Sequence, residues 1–421
     1  MKKKYKIIRD SIYGDIRIEG IFQKLLESPE IQRLSSIKQL GLAHLIFPGA
    51  HHTRLEHSLG AFYMATAMAN NLSLSENERL HVLIAALLHD IGHGPFSHTL
   101  ESLLREQFDV DHVDLTVQLI NGDYEIFQKN EKINLLSTET VSDLLSSNDF
   151  DKKLIIDIIQ GKESTKPYLG ELLNSVIDAD QIDYLLRDSY YTGVAYGMID
   201  SQRFVQTLQI HNGHLALDRK GVGVIENVLM ARALMYSSVY FHKTVRIAEL
   251  MLSKAFELIP DIKPFAFFSM TDGELIEVLK NNGLFQEKIV TRLKYRQLFK
   301  QAYHYIDQPG DEDSKMDLIK QLENATYRRR IEQIFEETLD IPKGHIIIDV
   351  PSFDLHQAEP RIQEIDMPIN DNGTIKALTH FTPVAEAIGM RSIPDWDIMI
   401  ITDEPYRKKV NQYAEQLLFN D

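Results

Sequence analysis

Residues 89–98 read HDIGHGPFSH, so three of the chain's 16 histidines and an aspartate directly follow the apolar run VLIAALL. In a chain without cysteine, imidazole and carboxylate are the groups that can ligate a metal ion or move a proton near neutral pH. His89 and Asp90 end an almost wholly apolar helix, where an unpaired charge is expensive to bury. Bonds to backbone or to each other would satisfy them without any function. Gly92, Gly94 and Pro95 stop the helix, however, and turn the chain tightly. That turn can return His93 and His98 to the same concavity.

Two further segments could complete a site. In HHTRLEHSLG, Arg54 and His57 are three apart and share a helix face. In SVIDADQIDYLLRDSYYTG, Asp180, Tyr184 and Asp188 recur at spacing four, while Val176, Ile182, Leu185 and Leu186 fill other faces. This stripe reads equally as a solvated face or as a set of carboxylates that calls for a cation. His57, His89, Asp90 and Asp180 would make a mixed nitrogen and oxygen donor set. It suits Mn²⁺, Fe²⁺, Zn²⁺, Ni²⁺ or Mg²⁺, with positions left for water or substrate. Such an ion polarises a phosphoryl oxygen and lowers the pKa of bound water.

Stepping from these residues to their supports, YKIIRDSIYGDIRIEG alternates around Tyr-Gly and predicts a β-hairpin within residues 1–20. From 21 to about 260 the pattern is mainly helical. IFQKLLESPEIQRL predicts two short helices broken at Pro29. Thr53 and Glu56 form a capping box for the next helix, and SENERLHVLIAALLHDIG predicts another ended by Gly92. Residues 171–192 and 222–258 predict two long helices. Beyond 260 the chain is mixed: HIIIDV and IMIIT read as strands, 308–315 as a solvated turn, and EPYRKKVNQYAEQLLF as a closing helix. The expected architecture is mainly α. A helical core spans 1–260 with its hairpin, and a smaller α+β lobe spans 261–421, with an oligomerisation or regulatory role.

Composition narrows the function classes. There is no run of about 18 apolar residues, so no membrane span or membrane partner is expected. No apolar segment follows the basic N-terminus, and cysteine is absent, which fits a cytoplasmic location. Disulfides and thiolate metal sites are excluded. A net charge of -16 disfavours a nucleic-acid-coating surface but leaves room for a small anion in a local cationic pocket.

These segments together resemble the HD-domain phosphohydrolases, in the deoxynucleoside triphosphate triphosphohydrolase branch that includes dGTPases and the SAM-and-HD-domain enzymes. The resemblance rests on EIQRLSSIKQLGLAHLIFPGAHHTRLEHSLG, HDIGHGPFSH, DADQIDYLLRD and the hairpin RDSIYGDIRI, and covers roughly residues 6–250. It implies that His57, His89, Asp90 and Asp180 ligate one divalent ion, with a second Mg²⁺ accompanying the nucleotide. It implies catalytic roles for His93, His98, His112 and Arg54, with Glu101 orienting His98. Gln39, Leu40, Tyr184 and Asp188 would hold the sugar. In ARALMYSSVYFHKTV, Arg232 and Lys243 would clamp phosphates, with Tyr236, Tyr240 and His242 at the sugar and base. Without the resemblance, that stripe is an ordinary amphipathic face. Lys6, Glu27, Gln32 and Lys220 match an effector site for a nucleotide.

There are departures. Val113 follows His112 where the family has Glu. Gln181 stands where a phosphate-contacting Lys is common, and Tyr236 where His is common. Ser35 replaces the arginine that reads guanine, which argues against a guanine effector. The implied reaction is metal-dependent hydrolysis of a dNTP to deoxynucleoside and triphosphate, by a homodimer or homotetramer. Gln181 and Tyr236 keep two alternatives open: another HD phosphohydrolase, acting as a 5′-nucleotidase or phosphodiesterase, and a non-catalytic nucleotide sensor.

Overall fold

The computed structural model describes residues 5–96, 99–100, 103, 105–106, 109–128, 131–259, 267–306, 313–351, 367–389 and 396–419. The fold is mainly helical, with the expected N-terminal hairpin and small C-terminal sheets. The hairpin pairs β1 (Tyr5–Asp10) with β2 (Gly14–Glu19) in antiparallel register. Ile16 and Ile18 bury one face of it. Helices α1 (Ile21–Leu26) and α2 (Pro29–Arg33) are separated where Pro29 cannot continue the first. Helix α3 (Arg54–Asn71) starts at the predicted capping box, with Thr53 and Glu56 satisfying each other's backbone N–H.

Helix α4 (Glu76–Leu88) is buried from His81 onward and ends at Leu88, one turn earlier than predicted. The expected helix over 171–192 begins only at Ala179, as α6 (Ala179–Thr192). Asp178 accepts the Gln181 N–H and caps it there. Between them lies α5 (His112–Asn121), capped by Asp111.

The helix expected over 222–258 is broken. α7 (Val222–Met235) passes into a π-helical turn at Tyr236–Tyr240, and α8 (Lys243–Glu257) starts afresh. His242 is extended and accepts the Thr244 N–H on its ring, capping α8. π-Turns recur at functional sites, and this one carries two of the predicted contacts. Further on come α9 (Asp272–Lys280), α10 (Ala325–Thr338) and α11 (Arg407–Phe419). The predicted turn at 308–315 falls largely outside the described residues, and the chain is helical from Asp313.

A four-stranded sheet runs β3 (Leu208–His211), β4 (His214–Asp218), β7 (Ile369–Asp371), β8 (Thr374–Lys376), in that order. β7 returns from far along the chain to pair in parallel with β4. A three-stranded antiparallel sheet places β9 (Ile398–Thr402) between β5 (Lys300–Tyr305) and β6 (Ile346–Asp349). One core packs the hairpin against α1–α7 and receives Met367, Ile369, Leu378, Ala385 and Ile388. A second joins α8 and α9 to Phe96 and Leu100, and a third lies under α10 and α11. No described helix is long and apolar enough to cross a membrane.

In the C-terminal sheet, His345 is buried among Phe285, Phe299 and Tyr406. Burial, with Lys288 and Arg292 nearby, pushes its pKa down to about 4 despite Asp403. The unfolded chain takes up this proton from about pH 6.5. Folded stability is therefore intact above that pH, falls as pH drops toward 4, and levels off below. Urea unfolding across this range checks it: His345→Phe is expected to flatten that part of the profile.

Candidate metal centre

The sharp turn after α4 is held from three sides. Thr116 Oγ1 accepts the Gly92 N–H and donates to the His89 carbonyl. Arg33 Nη2 donates to the carbonyls of Ile91 and His93 at 2.9 and 2.8 Å, and Nη1 to that of Met270. Asp272 accepts the N–H groups of Phe96 and Lys38. Glycine is required at 92, where a Cβ would lie 2.1 Å from the His112 carbonyl oxygen.

This turn presents His89 and Asp90 to α3 and α6. Ligand atoms of His57, His89 and Asp90 lie within 4.8 Å of one another. Asp180 Oδ1 adds a fourth donor, 2.9 Å from His57 Nε2 and 3.7 Å from His89 Nε2. The imidazoles are turned for this task. His57 Nδ1 bonds Asp183 Oδ2 at 2.8 Å, and His89 Nδ1 donates to the Ala86 carbonyl at 2.9 Å. Each ring thereby leaves Nε2 to the cluster, the tautomer that a metal needs. His89 Nε2 is buried without a hydrogen bond, 3.3 Å from Asp90 Oδ1. Burial opposes a charge on His89, yet Asp90 and Asp180 raise its pKa, so this buried nitrogen calls for a cation between it and the carboxylates, either a proton or a metal ion. The donor set therefore fits a divalent ion.

Electrostatics agree. Burial alone would raise the Asp90 carboxyl, but His89, His93 and Arg54 hold it well below the usual range. Arg54 Nη1 lies 2.6 Å from Asp90 Oδ2. Burial opposes a charge on His57, yet hydrogen bonds to Asp180 and Asp183 raise it to about 10.

His93 and His112 stack with ring centroids 3.8 Å apart, and His93 Nε2 is 3.3 Å from Asp90 Oδ1. Burial, with Arg54 and His112 beside it, keeps the His93 pKa well below 6.5. His98 and Glu101 lie outside the described residues.

Farther along α6, Asp188 is buried between His52 Nε2 and the Tyr240 hydroxyl, each at 2.7 Å. Tyr184 and Tyr236 pack edgewise on Tyr240. Gln39 donates its N–H to the His52 carbonyl, and its Oε1 is buried without a partner, with half-buried Leu40 beside it. Arg232 Nη1 meets the Val176 carbonyl and, at 3.4 Å, Gln181 Oε1. His242 packs edgewise on Phe47, while exposed Lys243 is drawn to Gln301 of β5 at 3.0 Å. Lys6 and Glu27 form an ion pair, and Gln32 bonds the adjoining Leu26 carbonyl. Lys220 follows β4 in a short turn, where its backbone N–H donates to Asp218 Oδ1.

The comparisons with known proteins agree with this geometry. The HD domain profile matches residues 54–188, and the HD associated region matches 199–419. The chain belongs to the HD-domain family. An uncharacterized protein of Methanocaldococcus jannaschii is 32% identical over 424 residues, covering 97% of this chain and 81% of that protein. The Dictyostelium discoideum deoxynucleoside triphosphate triphosphohydrolase SAMHD1 homolog is 30% identical, over 71% of this chain and 60% of its own length. A crystal structure of a hypothetical Aquifex aeolicus protein superposes with a TM-score of 0.73 at 26% identity, over 98% of this chain and 100% of that one. This HD-domain chain is therefore a phosphohydrolase-family protein with a candidate metal site.

Sequence reasoning missed Asp183, His52 and Arg33. Asp183 had a signal, one turn after Asp180 in DADQIDYLLRD. His52 had only the HH dipeptide, and Arg33 had only its place in EIQRLSSIKQLG.

With His57 carrying a proton up to about pH 10, an incoming ion must displace it. Mn²⁺ uptake at pH 8 is expected to release about one proton, with apparent affinity falling about tenfold per unit as pH is lowered. Calorimetry in two buffers of different ionisation enthalpy checks this. Proton-free uptake would contradict it.

Proposed function

We propose that this chain hydrolyses deoxynucleoside triphosphates to deoxynucleoside and triphosphate, with one divalent ion held by His57, His89, Asp90 and Asp180. One observation carries this reading. The donor cluster continues along α6 into a buried polar wall whose chemistry would suit a sugar. His52 and Tyr240 both grip Asp188, Tyr184 stands alongside, and the Gln39 backbone N–H donates to the His52 carbonyl. A fixed, buried carboxylate reads a hydroxyl well, because an analogue lacking that group leaves the site's polar atoms unpaired. The likeness to the Dictyostelium triphosphohydrolase supports the substrate class.

When bound, the ion would polarise the α-phosphoryl oxygen and acidify a water. Arg54, beside Asp90, adds a fixed positive charge at the same phosphoryl group. His93, kept neutral, offers a hydrogen bond without a competing charge. His112, stacked upon it, would protonate the departing 5′-oxygen. Arg232 faces the outer phosphates from α7. Gln181 supplies no charge there but orients that guanidinium. Lys6, Glu27, Gln32 and Lys220 remain candidates for a nucleotide effector site.

The test is product analysis with each of the four dNTPs and Mn²⁺. Deoxynucleoside with intact triphosphate is the expected result. Orthophosphate or pyrophosphate alone would overturn the reaction and favour the nucleotidase or phosphodiesterase alternatives. Tight nucleotide binding without turnover would favour a sensor. Arg232→Ala is expected to lower kcat/KM about 10²–10³-fold, the usual worth of one preorganised donor. His89→Ala should abolish turnover while dNTP binding persists.

A further inference from the structure

The hairpin motif RDSIYGD has no part in the site so far, yet its carboxylate is buried deep in the molecule. Arg187 of α6 is fully buried. Its Nε and Nη2 donate to the two oxygens of Asp183, each at 3.0 Å, and its Nη1 donates to Asp10 Oδ2 at 2.8 Å. Asp183 Oδ2 in turn holds His57 Nδ1. Asp10 is itself locked, because its Oδ1 accepts the N–H groups of Ile12 and Tyr13 in the hairpin turn. The Tyr13 ring lies 5.9 Å from the Arg187 guanidinium and stacks on Tyr63 of α3 at 4.4 Å.

Space is matched to this chain of contacts. A Cβ at Gly60 would fall 1.8 Å from Asp183 Oδ1 and 2.5 Å from Arg187 Nη2. α3 can approach α6 here only because residue 60 has no side chain.

We infer that the N-terminal hairpin sets the metal affinity of the centre, with Asp10 acting through Arg187 and Asp183 as a positioning residue for His57. The path fixes the ring of a ligand and touches neither substrate nor ion. It rests on the reading that His57 ligates a metal, and it holds for any substrate.

The experiment titrates Mn²⁺ into the full chain and reads free Mn²⁺ by its paramagnetic resonance signal, beside thermal melting. Asp10→Asn keeps the shape and the two turn hydrogen bonds but removes the charge. Arg187→Lys keeps the charge but loses the fork. Both are expected to bind Mn²⁺ about tenfold or more weakly, as outer-sphere partners usually do. Leu322→Ala, in the distant core under α10 and α11, supplies a comparable loss of melting temperature and should bind Mn²⁺ like the parent. If Arg187→Lys does not fold, the isosteric Asp10→Asn decides. Variants that bind within about twofold of the parent overturn the inference, as does equal weakening in Leu322→Ala. A parent that binds no Mn²⁺ overturns this and the proposed metal centre together. Weakened variants of a chain that releases no triphosphate leave the positioning role standing and sink only the dNTP reading.

Discussion

Four buried or half-buried aspartates, 90, 180, 183 and 188, line the wall between α3, α6 and the turn after α4. Their mutual repulsion in a dry interior is the constraint that the rest of the site answers. Each is matched differently. Asp90 has Arg54, Asp183 has Arg187, and Asp188 has the His52 ring and the Tyr240 hydroxyl. Asp180 faces the imidazoles of His57 and His89. Protonating His57 is one solution, and a divalent ion is the other. The same positions that need compensation thus define where a cation goes. Removing one partner of such a buried pair typically costs about 3–5 kcal/mol, because the survivor is left charged and unsolvated.

Precision then comes from backbone rather than from charge. The turn at 89–96 is too short to hold its own shape, and other elements supply it: α2 through Arg33, α5 through Thr116 and α9 through Asp272. Arg33 is buried, and burial lowers its pKa to about 10 despite Tyr124, Glu30 and Glu274. Its three described hydrogen bonds all go to carbonyl oxygens, so its role is to gather backbone. Gly60 and Gly92 do the complementary work, removing a methyl-sized obstacle wherever two elements must touch.

Much of the site was legible because its parts are local. The capping box at Thr53, the break at Pro29 and the short distance from His89 to Asp90 are all written in adjacent residues, and the hairpin follows from alternation about Tyr13-Gly14. What was missed falls into two kinds. The hairpins β3–β4 and β7–β8 carry Asn212-Gly213 and Asn372-Gly373, whose positive φ values suit a two-residue turn. That signal was present in both places and was not read. The break at Tyr236–Tyr240 is different. Residues 222–258 keep helical periodicity throughout, and no Gly or Pro interrupts 224–259. The π-turn comes from packing around Tyr184, Tyr240 and Phe241, which no window of sequence contains.

The parallel pairing of β4 with β7 belongs to this second kind and has a consequence for the site. β7 arrives 151 residues after β4, carried by Met367 and Ile369 into the same core that holds α3, α4 and α6. α9 likewise reaches back with Asp272 to the turn that bears His89 and Asp90. The HD associated region therefore contributes hydrogen bonds and buried surface to the centre itself. A chain cut after α8 would lose the acceptor for Phe96 N–H and one anchor of Arg33, while keeping all four donor residues. The donors specify which ion can bind. The distant segments specify how rigidly they wait for it, and preorganisation of that kind is what separates a cluster of ligands from a catalytic centre.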